Sequence, residues 1–155
     1  MSKRISYMKA APEAAKGFLT VHGYLAQSGL DKNLVDLVYL RVSQINHCAY
    51  CIDMHSQDLN KHGVPFEKLI LTSAWREAGD VFTAREQAAL AWAESVANVA
   101  ETGVPDDDYA AAAAEFSEKE LSDLSVAIAL MSAFNRLGVA FRNQPVAASR
   151  LVKAG

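Results

Sequence analysis

The 155-residue sequence predicts a single all-α domain, on three observations. Its apolar residues recur at three- and four-residue spacing rather than alternating. Two capping-box patterns, Thr83 to Glu86 and Ser117 to Glu120, stand directly ahead of such runs. No Gly/Ser-rich linker interrupts the chain, so residues 1–155 read as one domain.

Taken in order, Ser2 to Met8 reads as a loosely held arm. Pro12 to Gln27 predicts an amphipathic helix through Ala15, Phe18, Leu19, His22 and Leu25, with Pro12 in its first turn and Ser28-Gly29 as its stop. His22 on that face is simplest as a core-edge histidine. Asp31 is a good N-cap for a helix running from Leu34 to Ile45, apolar nearly all round and therefore central. Asn46-His47 predicts a tight corner. The next helix carries the cysteines and continues to about His62, where Gly63 and then Pro65 form the usual stop.

Phe66 to Thr72 predicts a short helix, and Ser73 to Gly79 a turn-rich connection with Trp75. Thr83 opens a helix expected to reach Ala100. Thr102 to Pro105 breaks it. Asp106, Asp107 and Asp108 suit the positive end of a helix that Ala110 to Ala114 propagates. Ser117 opens the last long helix, with Leu121, Leu124, Ile128, Met131, Phe134 and Leu137 as its buried stripe.

Composition narrows the function. A net charge of −3 without a basic run argues against a nucleic-acid surface. The N-terminal residues lack the apolar core of a signal peptide, and the uncharged stretch Leu124 to Asn135 is too short to cross a bilayer. The expectation is a cytoplasmic protein without a membrane partner. In that compartment a cysteine pair is more often catalytic or metal-binding than structural.

The chemistry concentrates in HCAYCIDMH, His47 to His55, which holds both cysteines. On a helix, Cys48, Cys51 and His55 share one face. A separation of three residues permits a disulfide with little distortion, and a helix N-terminus lowers a thiol pKa toward the reactive thiolate. If the two helices around Asn46 form an antiparallel hairpin, Asp36 and His55 lie equally far from the corner and face each other. That builds an acid, a base and a nucleophile in Asp36, His55 and Cys51. Ser43 lies two turns above Asp36, placed to hold a water or hydroxyl near the thiols.

Plainer readings compete. The cysteine pair is also half of a zinc site, with His47 or Asp53 as further ligands, although no second cysteine pair exists. Asp36 is also explained as a partner for Lys32, His55 as a surface histidine, and Ser43 as a core-facing hydroxyl. His47 and His62 read as exposed, and Tyr50 as packing or a cavity wall. A thioredoxin fold would place the motif after a strand, and a helix precedes it here.

At these residues the chain resembles the carboxymuconolactone decarboxylase/AhpD superfamily, in its alkylhydroperoxidase-like branch. The most specific stretch is LRVSQINHCAYCIDMHSQDLNKHG, Leu40 to Gly63; LSVAIALMSAFNRLGVAFR, Leu124 to Arg142, resembles the family's closing helix with its Asn-Arg pair at Asn135 and Arg136. The family pattern of an acid, eleven residues, Cys-x-x-Cys, three residues and His matches Asp36, Cys48, Cys51 and His55. Asp36 stands where the best-known peroxidases carry Glu, Tyr50 where some carry histidine, and His47 where glycine is commoner.

The resemblance implies a single-domain AhpD-like bundle of about six to eight helices, assembled as a trimer or hexamer, with no cofactor. By the same resemblance Cys51 is the peroxidatic thiol that attacks a small hydroperoxide. Cys48 protonates the leaving alkoxide and then resolves the sulfenate, while His55, oriented by Asp36, relays protons. A dithiol partner would reduce the disulfide. The superfamily's decarboxylases lack the cysteine pair, which disfavours lactone decarboxylation. The competing expectations are a disulfide reductase and a redox-sensing oligomeric binding module.

Overall fold

The apolar periodicities become helices packed around one buried rod. A computed structural model describes residues 4–153; it is all-α, and no strand occurs among those residues. The helices are α1 (Tyr7–Ala10), α2 (Pro12–Leu25), α3 (Lys32–Ile45), α4 (Ala49–Lys61), α5 (Phe66–Leu71), α6 (Ala84–Ala97), α7 (Val99–Thr102), α8 (Asp106–Glu115), α9 (Glu118–Ala140) and α10 (Val146–Lys153).

Helix α3 is the rod. Asp31 caps it by accepting the Leu34 N–H at 2.8 Å. It packs against α4, α6 and α9, and Leu37, Val38, Leu40 and Val42 are fully buried there. Each such side chain contributes roughly 1.5–3 kcal/mol by leaving water. Both capping boxes form: Thr83 and Glu86 open α6, and Ser117 and Glu120 open α9, each pair bonding reciprocally.

Three helices exceed the sequence expectation. Within the expected N-terminal arm, Tyr7 begins α1, its ring packed 5.5 Å from that of Phe141; Ser2 and Lys3 of that arm lie outside the described residues. The helix expected to reach Ala100 ends at Ala97, where Asn98 turns out of helical geometry before α7. Helix α10 follows Pro145 and is docked by Asp53, whose carboxylate accepts the Ala147 N–H at 3.0 Å. The hydrogen bonds from Ala147 and Gln57 and the charge of Arg150 outweigh a burial effect that acts in the opposite direction, and hold the Asp53 carboxyl below its ordinary pKa.

The connection from Ser73 to Gly79 winds into 3-10 turns that bury Trp75. The Trp75 indole N–H and the Arg41 Nε each donate to Glu94 Oε1 at 2.8 Å, and Arg76 bonds the other oxygen at 2.7 Å. Burial alone would raise the Glu94 pKa; the bonds from Trp75 and Arg41 and the charges of both arginines hold it below the ordinary value. This carboxylate ties α3, α6 and the 3-10 segment together.

Candidate functional site

The corner between α3 and α4 is a Schellman motif. The His47 N–H donates to the Gln44 carbonyl at 3.2 Å, and the Cys48 N–H to the Ser43 carbonyl at 3.0 Å. This motif requires a left-handed residue after the helix, and His47 supplies it with φ 54°. A side chain in that conformation costs about 1–2 kcal/mol, which a glycine would avoid. The same motif ends α9, with Arg142 at φ 54°, and α4, where Gly63 takes the position at φ 79°.

Asn135 of α9 braces the corner. It is fully buried, its amide N–H donates to the Ser43 hydroxyl at 3.0 Å, and its Oδ1 accepts from Asn46 at 3.3 Å. The Ser43 hydroxyl is thus the core-facing one of its two expected readings, fully buried and accepting from Asn135.

The braced corner delivers Cys48 as the N-cap of α4, its sulfur accepting the Cys51 N–H at 3.4 Å. Cys48 and Cys51 are joined as a disulfide with Cα atoms 5.4 Å apart, inside the range such bonds require. Both are buried, at 1% and 3% exposure. Gly138 of α9 lies directly over the pair. A methyl group added there would stand 3.0 Å from the Cys48 sulfur and 3.8 Å from that of Cys51.

Behind Cys51, the hairpin brings Asp36 and His55 together. His55 Nδ1 stands 3.5 Å from Asp36 Oδ1, and both side chains are largely buried. The distance exceeds a normal hydrogen bond, consistent with an aspartate one methylene short of glutamate. Lys32 does not pair with Asp36; its ammonium lies 3.1 Å from His62 Nε2, and His62 Nδ1 lies 3.9 Å from Asp36 Oδ2. Tyr39 packs its ring 5.1 Å from that of His55. Burial, reinforced by the nearby Asp36 charge, pushes the Tyr39 phenol well above its ordinary pKa, so it stays protonated.

Three cavities surround the motif. One of about 250 Å³ reaches Cys51 and His55 between apolar walls that include Tyr50, Met54, Met131 and Phe134. A second of about 420 Å³ reaches Asp36 and His55 from the opposite side, past Lys32, Tyr39 and Asp58. His22, Met54 and His55 line both and form the partition between them. A third, of about 340 Å³, touches Cys48 and is bordered by the two left-handed residues, His47 and Arg142.

The structure thus gathers Cys48, Cys51, His55 and Asp36 at one place. Tyr50 is a wall of the apolar cavity. His22 stacks on buried Tyr39 at the core edge, as expected, and also lines two cavities; His62 is exposed, as expected, with Nδ1 3.9 Å from Asp36 Oδ2. Sequence reasoning overlooked Gly138, whose signal was a glycine within an otherwise helical pattern.

Comparison with known proteins agrees with this architecture. The pattern of the carboxymuconolactone decarboxylase family matches residues 12–95. The uncharacterized protein YdfG of Bacillus subtilis is 35% identical over 144 residues, 93% of this chain and 97% of that protein. A crystal structure from Agrobacterium tumefaciens, of a protein of unknown function named as a candidate AhpD antioxidant-defence protein, superposes with a TM-score of 0.89. It is 40% identical and covers 93% of this chain and 98% of its own. The alkyl hydroperoxide reductase AhpD of Maricaulis maris is 50% identical over 40 residues, 26% of this chain and 23% of that enzyme. The chain is a member of the carboxymuconolactone decarboxylase family, with an AhpD-like fold and a Cys-x-x-Cys disulfide.

Proposed function

We propose that this protein is a thiol peroxidase that reduces small organic hydroperoxides or hydrogen peroxide through the Cys48–Cys51 couple. The observation that carries this reading is the apolar cavity ending on Cys51 and His55, with Asp36 3.5 Å behind the imidazole. Peroxide attack needs a thiolate, a proton relay and a site that keeps water away from a sulfenate. A cavity of about 250 Å³ suits a small molecule.

In the oxidative step, His55 takes the Cys51 proton, and the thiolate attacks the terminal peroxide oxygen. The O–O bond breaks, leaving a Cys51 sulfenic acid and an alkoxide. Cys48 protonates the alkoxide and then attacks the Cys51 sulfur; hydroxide leaves, taking the proton held by His55. Two thiols and a hydroperoxide become a disulfide, an alcohol and water. A dithiol reductant restores the thiols.

Exposures of 1% and 3% for the two cysteines argue against a reductase acting on bulky protein disulfides. Exposed apolar side chains on α2, Leu19, Val21 and Tyr24, support assembly as a homo-oligomer. The test is mass spectrometry of the reduced protein after one equivalent of hydroperoxide. Rapid loss of two hydrogens, reversed by a dithiol, is the expected result. Cys51→Ser should abolish it and Cys48→Ser should trap a sulfenate; slow over-oxidation of a single thiol would overturn the reading.

A further inference from the structure

We propose that His62 is the point at which protons from bulk water reach the buried Asp36–His55 pair. The inference rests on the Cys48–Cys51 couple turning over, as proposed above, and it extends the relay outward by one residue.

Three observations carry it. First, Asp36 faces His55 with Oδ1 and His62 with Oδ2, at 3.5 and 3.9 Å, so one carboxylate bridges two imidazoles. Second, side-chain exposure rises along the chain from 4% at His55 through 13% at Asp36 to 33% at His62. Third, the Lys32 ammonium lies 3.1 Å from His62 Nε2 and has only protons to donate. With the ammonium donating, Nε2 accepts, and in that tautomer the ring proton sits on Nδ1, 3.9 Å from Asp36 Oδ2. Asp36 Oδ2 and both ring nitrogens of His55 are buried without a hydrogen-bond partner among the described residues. A closing movement of about 1 Å brings either gap to hydrogen-bond length, and the cavity lined by Asp36, His55 and Lys32 leaves room for it.

The two half-reactions differ in their need for such a route. In the oxidative step both thiol protons end on the alcohol and the water, so nothing is exchanged with bulk. In the reductive step a dithiol ionises in solution, losing its first proton to water. Its thiolate attacks one sulfur of the Cys48–Cys51 disulfide, the S–S bond breaks, and the other cysteine leaves as a thiolate. The reductant's second thiol then breaks the mixed disulfide, passes its proton to the sulfur it releases, and departs as a cyclic disulfide. Two electrons have moved to the pair. The sulfur displaced in the first exchange leaves within a buried pair and draws its proton from solvent as the S–S bond breaks, so a slow proton supply slows the reduction itself.

The path proposed is water or Lys32 to His62 Nε2, His62 Nδ1 to Asp36, Asp36 to His55 Nδ1, and His55 to Cys51. The charged and titratable groups around His62 are Lys32 and Asp36 from α3, His55, Asp58 and Lys61 on α4, and His22 of α2 across the cavity. Asp58 is itself engaged by Lys61 at 3.1 Å.

The experiment mixes the oxidised full-length protein with dithiothreitol in weak buffer and follows disulfide reduction by quenched alkylation from about pH 6 to about pH 9. In His62→Gln and His62→Ala the reduction should slow by about tenfold, less than the 10²–10⁴ of direct acid–base catalysis because water partly substitutes. Added imidazole should restore the rate in His62→Ala, and the loss in reduction should exceed any change in hydroperoxide oxidation of the reduced variants. An unchanged reduction rate in weak buffer, or a loss that imidazole fails to restore, would overturn the proposal. Failure of the peroxidase reading appears separately, as wild-type thiols unresponsive to hydroperoxide, because the reduction assay starts from the disulfide.

Discussion

Asp36 Oδ1 and His55 Nδ1 face each other across 3.5 Å, on two helices whose shared corner lies midway between them in sequence. The gap is about half an ångström longer than a strong hydrogen bond. Asp36→Glu adds one methylene beside an open cavity and should close it. We expect peroxide oxidation of Cys51 to accelerate several-fold in Asp36→Glu and to fall by at least about tenfold in Asp36→Asn, which cannot balance an imidazolium. Stopped-flow oxidation of the reduced proteins measures both.

Gly138→Ala places a methyl group 3.0 Å from the Cys48 sulfur. Helix α9 is held by a buried stripe and cannot retreat freely, so the oxidised protein should lose about 1–3 kcal/mol. Denaturant unfolding of the oxidised protein, compared with wild type, reads the loss.

His47→Gly removes a side chain from a left-handed position at φ 54° that makes no use of it in the corner's hydrogen bonding. The variant should be more stable by about 1 kcal/mol, read as a raised midpoint in thermal or chemical unfolding. A fall in stability would mean the imidazole supports the corner.

Asn135→Ala leaves the buried Ser43 hydroxyl without its donor and Asn46 without its acceptor on α9. A cost of about 1–3 kcal/mol is expected. Because the brace sets the corner that presents Cys48, disulfide formation should slow as well.

Glu94 supplies the acid-sensitive term. Its folded pKa is depressed, so its contribution is complete above the ordinary glutamate value of about 4.3 and is lost as pH falls through the lowered folded value. Glu94→Gln should cost about 1.5–3 kcal/mol at neutral pH, and the difference from wild type should shrink on acidification. Urea unfolding at about pH 7 and about pH 3 tests the sign.

Much of this arrangement was readable in the chain because its signals are local. Asp31, Thr83 and Ser117 announce their helices by side chains that bond within one turn. The facing of Asp36 and His55 followed from counting outward from Asn46. What escaped depends on distant partners. His62 is exposed, as it reads, but nothing local announces that Lys32 and Asp36 of α3 stand beside it. Helix α10 is short and gains its place from Asp53, far earlier in the chain. Asn135 was visible as part of a resemblance, but its bond to Ser43 spans 92 residues and has no local signature.

The partition formed by His22, Met54 and His55 gives the imidazole an apolar chamber on one side and a chamber carrying Lys32, Asp36 and Asp58 on the other. Substitutions at Tyr50, Met131 or Phe134 therefore reshape the apolar chamber without touching the charged groups of the other. Lys32 and Asp58 line only the second chamber, so changing them leaves the first as it is. A single ring shared by two rooms lets either be refitted while the imidazole between them keeps its place.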